Sequence, residues 1–358
     1  MTARLRIATY NICWFSNLFD EESALRRDAE RSAMHDVTRA RQADAVAEVL
    51  RAVDADCFAI IEAPNQGKRH DCVRALEGFA TTYGLRQSRA LIGFESGTDQ
   101  EIALLYDPDF VSAVHDPVGL PAAEGAPADV LDPAPRFDGI YALDLDGDGE
   151  IDLHRFSKPP LEAAVHWRAA GRDLRLIAVH AKSKAPYGAE DAADAARISL
   201  INRRKQLAQC AWLRARIEEH LTHGDAVIAL GDFNDGPGLD KYERVFGRSG
   251  VEVVMGDPGD PDRLLRNPFV RRAMLPYGAR PSTARFYNRQ TQGFSNALID
   301  FVMLSPEFAR QAYPSWRIWH PFDDKACFED SALQAALLDA SDHFPVSVDL
   351  TLPAAGAA

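Results

Sequence analysis

Residues 227–235 read VIALGDFND and end a short apolar run with a carboxylate and an amide. The run 227–230 has the length and composition of a buried strand, and Gly231 interrupts it. In extended backbone, Asp232 and Asn234 lie two positions apart and point to the same side. A strand end of this kind can form a catalytic rim, although the pattern taken alone also fits a polar turn.

The same arrangement recurs along the chain, where other apolar runs carry one chemically useful residue near an end. They supply Asn11 at the end of 5–11, Glu62 at the end of 57–62, His180 at the end of 174–180, Asp300 near the start of 298–304, and Asp342 with His343 before a last strand that ends at 350. Because single polar strand ends are common but a set of this chemistry is not, we interpret the set as convergence on one site.

These residue types suit a site that binds a hard cation and a phosphate. Glu62 and Asp342 offer oxygen ligands, with Asn11 beside them. His343 with Asp300 suits a polarised imidazole.

The remaining polar strand ends suit the phosphate. Asn234 and His180 suit donors to a phosphate oxygen. Asp342–His343 taken alone also fits a turn cap followed by a core histidine, and residues 179–184, VHAKSK, also fit a strand that leaves the core.

The motif set resembles the endonuclease/exonuclease/phosphatase superfamily, which includes pancreatic deoxyribonuclease, apurinic endonucleases, inositol-polyphosphate 5-phosphatases and bacterial sphingomyelinases. The motifs stand in the family's order over residues 5–350: TYNI with Asn11, IIEAPN with Glu62, VHAKSK with His180, GDFND with Asp232 and Asn234, IDFVM with Asp300, and SDHFPV with Asp342 and His343. VHAKSK looks like bacterial nuclease branches that carry His-x-Lys-Ser-Lys there.

The resemblance implies a four-layer α-β-β-α sandwich of two packed, mainly antiparallel sheets flanked by helices. It also implies in-line attack of water on phosphorus. Asp232, aligned with Asn234, would position the water, and a metal on Glu62 and Asp342 would steady the leaving oxygen. His343, oriented by Asp300, and His180 would stabilise charge on the non-bridging oxygens.

Two positions depart from the family pattern. Lys158 precedes Pro159-Pro160-Leu161 where the bacterial branches commonly have Arg. A lysine ammonium lacks the planar fork with which an Arg binds phosphate through two hydrogen bonds. Ile61 stands before Glu62 where family members often have Gln. Lys158, Lys182 and Lys184 are candidate phosphate contacts, the last two with solvent exposure as the alternative.

A bound cation also follows from charge. Glu62, Asp232 and Asp342 in one pocket at ~5 Å would repel by roughly 3 kcal/mol per pair at an effective dielectric of ~20. A divalent ion would remove most of that penalty. We expect Mg²⁺, with Mn²⁺ able to substitute.

The rest of the chain must position these residues. With 358 residues, 46% of them hydrophobic, it can bury a large core. Since motifs from both ends must meet, we expect a single domain over 1–358, with a surface insertion at about 116–150. Helical patterns cover about 193–221, 39–53 and 71–83, the first with an apolar face that includes Leu200, Leu207 and Trp212.

The insertion ends in an acidic stretch, DLDGDGEID. Asp144, Asp146 and Asp148 occupy the first, third and fifth positions of a calcium loop, but the twelfth is Arg155 instead of Glu. The stretch therefore favours a tight acidic hairpin turn over a structural Ca²⁺ site.

The net charge of the chain is −13, which argues against binding to nucleic acid. The distribution of the charged residues along the chain does not argue against it. Residues 263–299 contain seven arginines and no Asp or Glu, with aromatic residues between them. Arg271, Arg272 and Arg285 are candidate substrate-binding residues on this surface. The alternative is a solvated loop whose arginines pair with the chain's acids.

Neither a signal peptide nor a membrane span is evident, and the five cysteines show no metal-type spacing. We therefore expect a cytoplasmic, monomeric protein with reduced cysteines and no membrane partner. Cys13 lies two residues beyond Asn11, so it can approach the site or pack in the core.

The leading hypothesis is a metal-dependent phosphodiester hydrolase, a nuclease that acts on DNA in preference to RNA. The alternative is a phosphatase or phosphodiesterase for a small or lipid phosphoester, since the resemblance supports both on one catalytic set. A silent binding module with the same fold is the third reading, and the filled catalytic positions argue against it.

Overall fold

The computed structural model describes residues 1–120, 132–145, 147–239, 244, 247–275, 277–278, 280–288 and 292–356. Two sheets dominate this part of the chain. The strands of the first sheet are β1 (Thr2–Asn11), β2 (Cys57–Ala63), β3 (Arg89–Ile92), β4 (Glu101–Tyr106), β14 (Ser315–Ile318) and β15 (Val346–Pro353). Those of the second sheet are β5 (Val111–His115), β8 (Leu161–Trp167), β9 (Arg172–His180), β10 (Val227–Asp232) and β13 (Asp300–Leu304). The strand order is β14-β15-β1-β2-β4-β3 in the first sheet and β13-β10-β9-β8-β5 in the second.

Helices cover the outer faces of both sheets. They are α1 (Arg39–Val53), α2 (Cys72–Tyr83), α3 (Ala192–His223), α4 (Gly250–Met255), α5 (Pro268–Ala273), α6 (Pro306–Ala312), α7 (Lys325–Glu329) and α8 (Ser331–Ala340). Residues of α1, α2 and α8 share a buried cluster with the first sheet, and residues of α3 and α4 share another with the second. Within the described residues, none of the helices combines the length and apolar character that crossing a bilayer requires.

A third apolar cluster lies between the sheets. Strand β10 shows how one strand serves two layers: Ile228 and Leu230 belong to the cluster between the sheets, and Val227 and Ala229 to the cluster under α3. Successive side chains of a strand point to opposite faces, so a strand buried on both faces is apolar throughout. The expected four-layer sandwich of two mainly antiparallel sheets flanked by helices is confirmed.

Two parallel pairs bring the polar strand ends to one edge. Strand β1 runs parallel to β2, and β9 runs parallel to β10. Strand β13 is antiparallel to β10 and β15 is antiparallel to β1, so the start of each lies at that same edge. Register pairs Asp232 with both His180 and Asp300.

Two small hairpins lie outside the main sheets. Strand β6 (Tyr141–Leu143) pairs with β7 (Asp152–His154), and β11 (Ala284–Asn288) with β12 (Gly293–Ala297). In the turn between β6 and β7, the Asp144 carboxylate accepts hydrogen bonds from the amides of Gly147 at 2.7 Å and Gly149 at 3.0 Å. Asp146, the second ligand of the calcium alternative, lies outside the described residues.

The segment 116–150 was expected to lie on the surface, but part of it is buried. Phe137 is fully buried, and the Tyr141 ring stacks on that of Trp212 in α3 at 5.4 Å. The Trp212 indole also donates to the carbonyl of Pro135 at 2.8 Å. The high Pro, Ala and Gly content of the segment did not predict the burial of Phe137 and Tyr141, because composition does not show which few side chains pack against the rest of the protein.

Helix α3 was predicted within two residues at each end, but its expected apolar face was partly wrong. Leu200 is 40% exposed, whereas Asn202, Gln206 and Gln209 are buried. These amides hydrogen-bond to the loops that follow β9 and β10, and a buried polar face is stable when such partners exist. Hydrophobic periodicity cannot detect a face that is buried through hydrogen bonds.

Candidate active site

The polar strand ends lie together at one edge of the two sheets. Asn11 ends β1, Glu62 is the last residue but one of β2, His180 ends β9, Asp232 ends β10, Asp300 begins β13, and Asp342 and His343 precede β15. Contacts join Asn11, His180, Asp232, Asp300 and His343. Glu62 and Asp342 are related to this set through the effects of charge on the pKa values of Glu62 and His343.

Asp232 is the centre of the hydrogen-bond network. Its Oδ2 accepts from Nδ2 of Asn11 at 3.1 Å and of Asn234 at 3.0 Å, and its Oδ1 accepts from the amide of Asn234 at 2.8 Å. The pKa of the Asp232 carboxyl is raised, first by burial and then by the charge of Asp300. The two asparagines hold its orientation, and both occupy the positions that the motifs predicted.

The glycine of GDFN is required by the pairing of β9 and β10. Gly231 has a φ of +132°, and a Cβ there would lie 2.1 Å from the carbonyl oxygen of Val179. Asn234 also adopts a positive φ, 51°, and its Nδ2 donates to the carbonyl of Ala181 at 3.0 Å. A left-handed conformation is costly for a residue with a side chain, so these bonds help to hold Asn234 in place.

His343 and Asp300 form the predicted pair. Nδ1 of His343 lies 2.9 Å from Oδ2 of Asp300, and both side chains are buried. Burial lowers the pKa of His343, but the charge and hydrogen bond of Asp300, with the charges of Asp232 and Asp342, raise it to about 10. The imidazole is therefore held in one orientation, and its protonated form is favoured.

Thr283 supports this pair from the segment before β11. Its Oγ1 accepts from the amides of Ile299 at 3.1 Å and Asp300 at 3.0 Å, and its carbonyl accepts from the amide of Phe344 at 2.6 Å. Sequence reasoning missed Thr283, since an isolated threonine carries no pattern that marks such a bridge.

Glu62 lies in an unusual backbone conformation. Its φ is +60°, and the register between β2 and β4 shifts between Ile61 and Ala63. One carboxylate oxygen accepts from the amide of Trp14 at 2.8 Å. The pKa of Glu62 is raised, chiefly by burial and also by the charge of Asp342, although Lys158 and His343 oppose this. Strained residues of this kind concentrate at functional sites, and here the bulge re-aims a carboxylate at the edge of the sheet.

This edge carries oxygen atoms that suit a divalent cation. Oδ1 of Asn11 is buried and lacks a hydrogen-bond partner within the described residues, which leaves it free to coordinate. In the described part of the chain, a different set of possible ligands, Asp232, Asp300 and His343, has ligand atoms within 4.8 Å of one another. Because Asp300 and His343 already bond to each other, we favour the oxygens of Asn11, Glu62 and Asp342 as the cation ligands.

His180 and Lys158 complete the buried part of the site. Nε2 of His180 lies 3.4 Å from Nζ of Lys158 and 3.7 Å from Oδ2 of Asp232. Burial lowers the pKa of both groups, strongly for His180, whose imidazole is also next to the charge of Lys158. A neutral imidazole and a desolvated ammonium are both suited to donate to a phosphate oxygen.

The other two lysines of the motif differ in their contacts. Lys184 forms an ion pair with the buried carboxylate of Asp235, which also accepts from the amide of Gly250 at 2.5 Å. Lys182 donates to the carbonyl of Ser183 at 3.2 Å, and burial lowers its pKa. Lys184 thus has a structural partner that the sequence did not reveal, whereas the Lys182 ammonium contacts only a neutral carbonyl within the described residues.

The arginines of 263–299 occupy several places. Arg263 is bound to Glu218 of α3 at 2.5 Å, in agreement with the alternative that acids of the chain pair with them. Arg271 and Arg272 are exposed at the end of α5 and form no ion pair within the described residues. Arg285 lies beside the site, because its amide donates to the carbonyl of Asp342 at 2.7 Å.

Gln206 of α3 is a supporting residue that sequence reasoning also missed. Its Nε2 lies within hydrogen-bond distance of three carbonyl oxygens, those of Lys182 at 3.0 Å, Phe233 at 3.2 Å and Asn234 at 2.7 Å. The side chain is 2% exposed. It therefore ties the loop after β9 to the loop after β10 and fixes the backbone of Asn234.

We expect Gln206→Leu to lower the free energy of unfolding by roughly 1–3 kcal/mol, because it leaves buried carbonyls without a donor. Urea unfolding measures the change. Gln311→Leu, at an exposed glutamine of α6, is the matched control and should change stability by less than about 0.5 kcal/mol. Equal stability of the two variants would contradict the supporting role of Gln206.

Comparison with known structures finds similar chains at low sequence identity. An endonuclease/exonuclease/phosphatase family protein from Bacteroides thetaiotaomicron has 14% identity and a TM-score of 0.50, with 98% of this chain and 96% of that chain covered. Truncated Caenorhabditis elegans TDP2 has 13% identity and a TM-score of 0.48, with 97% of each chain covered. D. rerio TDP2 complexed with single-strand DNA product has 12% identity and a TM-score of 0.47, covering 97% of this chain and 99% of that chain.

The sequence itself supplies the assignment. Among curated proteins, no relative matches the chain significantly. The model of the Endonuclease/Exonuclease/phosphatase family matches residues 8–343, a span that contains every strand end described above. The chain therefore belongs to the endonuclease/exonuclease/phosphatase family.

Proposed function

We propose that this protein is a Mg²⁺-dependent phosphodiester hydrolase and that it is a nuclease acting on DNA. The observation that carries the proposal is the contact network of Asn11, His180, Asp232, Asn234, Asp300 and His343 at one edge of the two sheets. Family membership supports phosphoester hydrolysis in general, and the His-x-Lys-Ser-Lys segment at 180–184 supports a place among the bacterial nucleases.

The proposed cation ligands are Glu62 and Asp342, with Asn11 beside them. Within the described residues, Oδ1 of Asn11 has no hydrogen-bond partner, and Glu62 offers a half-buried carboxylate. Both are donors that Mg²⁺ prefers, and Mn²⁺ accepts the same set. When bound, the cation supplies positive charge for the phosphate and the leaving oxygen.

Asp232 positions the attacking water in this proposal. Asn11 and Asn234 donate to its carboxylate, which fixes the direction in which the remaining lone pairs point. A water held there is oriented for in-line attack on phosphorus. Because the fold already fixes the carboxylate, little further entropy is lost in ordering this water for the reaction. The charge of His343 close by favours the ionised form of the carboxylate.

His343, His180 and Lys158 stabilise the charge that builds on the non-bridging oxygens. Asp300 holds Nδ1 of His343, which leaves Nε2 to donate to phosphate. His180 and Lys158 approach from β9 and from the segment before β8. Donors fixed in a buried site act more strongly than in water, because they do not reorganise during the reaction.

We expect activity to require a divalent cation, because the site collects carboxylates whose mutual repulsion the cation offsets. The purified protein is incubated with plasmid DNA, single-stranded DNA, RNA and bis-p-nitrophenyl phosphate, each with Mg²⁺, with Mn²⁺ and with EDTA. Hydrolysis should stop in EDTA and return with either metal. Turnover that survives exhaustive EDTA treatment would refute the metal requirement.

The same assay decides the substrate. Cleavage of plasmid or single-stranded DNA supports the nuclease, and hydrolysis of the small diester alone assigns the protein to small or lipid phosphoesters. Arg285, beside Asp342, supports a polymer substrate, and we include Arg271, Arg272 and Lys182 as further phosphate contacts. Lys184 is a weaker candidate, because its ammonium already pairs with Asp235.

A cytoplasmic location is part of the proposal. All five cysteines lie in the described residues and none forms a disulfide. Free cysteines are typical of reducing compartments.

A further inference from the structure

A groove adjoins the proposed metal ligand Asp342. Its volume is about 620 Å³, within the range of ligand-binding cavities. Asp342 and Ser341 line it, with residues 31–36 contributing one wall and Arg285, Tyr287 and Phe294 of the β11–β12 hairpin contributing the other. We call this cavity the Phe294 groove, after the most exposed ring of the hairpin wall.

One face of the β11–β12 hairpin lines the groove, and its other face contacts His343. Tyr287 pairs directly with Phe294 across the hairpin, and Arg285 is two residues before Tyr287, so these three side chains share the face that lines the groove. Phe286 points the other way, and its ring meets that of His343 edge-on at 5.5 Å. The hairpin thereby sets the position of the groove relative to the catalytic histidine.

The groove presents aromatic ring surface to solvent. Phe294 is 55% exposed, and its ring lies 5.2 Å from that of Tyr287. From the opposite wall, the His35 ring lies 4.8 Å from Tyr287. Both contacts are tilted, with angles between the ring planes of 57° and 40°. An exposed group of rings in contact is costly to leave in water, and such surfaces commonly mark binding sites.

Arg285 adds a positive charge at the same place. Its guanidinium lies 3.6 Å from the centre of the Phe294 ring and 5.1 Å from that of Phe322. Within the described residues it forms no ion pair, whereas Arg31 on the opposite wall pairs with Asp36. Its charge is therefore available to a ligand phosphate, and contacts with two rings hold the guanidinium at the groove.

We propose that the Phe294 groove binds unpaired bases of the strand whose phosphate lies in the active site, so that the substrate is single-stranded DNA or a single-stranded end. This inference rests on the proposed function. Bases stack on the rings of Tyr287 and Phe294, and Arg285 contacts the adjoining phosphate. In a duplex the bases are stacked on each other inside the helix, so only unpaired bases can use these rings.

The test is the binding of two oligonucleotides with the same phosphates. Fluorescence anisotropy in EDTA measures the Kd of labelled oligothymidylate and of an abasic strand of equal length. Phe294→Ala should weaken oligothymidylate binding by roughly 5- to 150-fold, the loss of one base–aromatic stack. Binding of the abasic strand should not change, because it has no base to stack.

Two further variants separate stacking from other effects. Phe294→Trp keeps a ring and should retain the affinity for oligothymidylate. Tyr313→Ala removes a residue that is 79% exposed just before β14, at the edge opposite the site, and should leave both affinities unchanged.

Three outcomes would overturn the inference. The first is an unchanged Kd of Phe294→Ala for oligothymidylate. The second is an equal loss of affinity of Phe294→Ala for oligothymidylate and for the abasic strand. The third is failure of Phe294→Trp to retain the affinity for oligothymidylate. Hydrolysis of bis-p-nitrophenyl phosphate by the wild-type protein with Mg²⁺ tests the proposed chemistry separately. Failure of the wild-type protein to hydrolyse this diester, plasmid DNA and single-stranded DNA alike would refute the proposed function, whereas the binding results judge the groove alone.

Discussion

Asp232→Asn should lower kcat by roughly 10²–10⁴-fold, the range for losing an acid–base group. The amide has nearly the same shape, but it cannot accept a proton and does not carry the charge that orients the attacking water. Steady-state hydrolysis of bis-p-nitrophenyl phosphate with saturating Mg²⁺ measures the effect. Because the change acts on the transition state, we expect kcat and kcat/KM to fall together.

The control for this variant is Asp349→Asn. Asp349 carries an ion pair with Arg6 at 2.6 Å in the middle of the first sheet, away from the catalytic edge. It should keep wild-type turnover. Circular dichroism and the thermal midpoint establish that both variants are folded. If folded Asp232→Asn retained near-wild-type turnover, another group would have to position the water.

His343→Ala should lower kcat by roughly 10²–10³-fold, the cost of removing one donor that stabilises developing charge. Burial opposes a charge on this imidazole, but Asp300, Asp232 and Asp342 together raise its pKa, so it can donate a strong hydrogen bond to a phosphate oxygen. The decrease is measured with the same small diester, for which base stacking plays no part.

The chain offers a matched control in His166. Nδ1 of His166 lies 2.7 Å from Asp173, which gives the same His–Asp pairing near the opposite end of the second sheet. His166→Ala should leave turnover unchanged. Equal losses in the two variants would mean that His343 acts through general stability and not through the reaction.

Local patterns in the sequence predict the strands that carry the site. Apolar runs such as 227–230 are local signals, since a strand buried on both faces must be apolar at every position. Asp232, Asn234, Asp300 and His343 stand at fixed offsets from those runs, so the motifs predicted which side chains would meet. Their meeting required only that the strands share an edge, which the parallel pairs β1–β2 and β9–β10 provide.

Which residues support and surround the site depends on how distant segments meet in the folded chain. Gln206 stands twenty-six positions before Asp232 in the sequence, Thr283 lies in an irregular segment, and their roles depend on carbonyls and amides brought close only by folding. The same reason separates Arg263, which Glu218 neutralises, from Arg285, which stacks on Phe294 beside Asp342. Local patterns record what each segment buries, whereas a hydrogen bond or ion pair between distant segments depends on both partners and leaves no periodic trace in either.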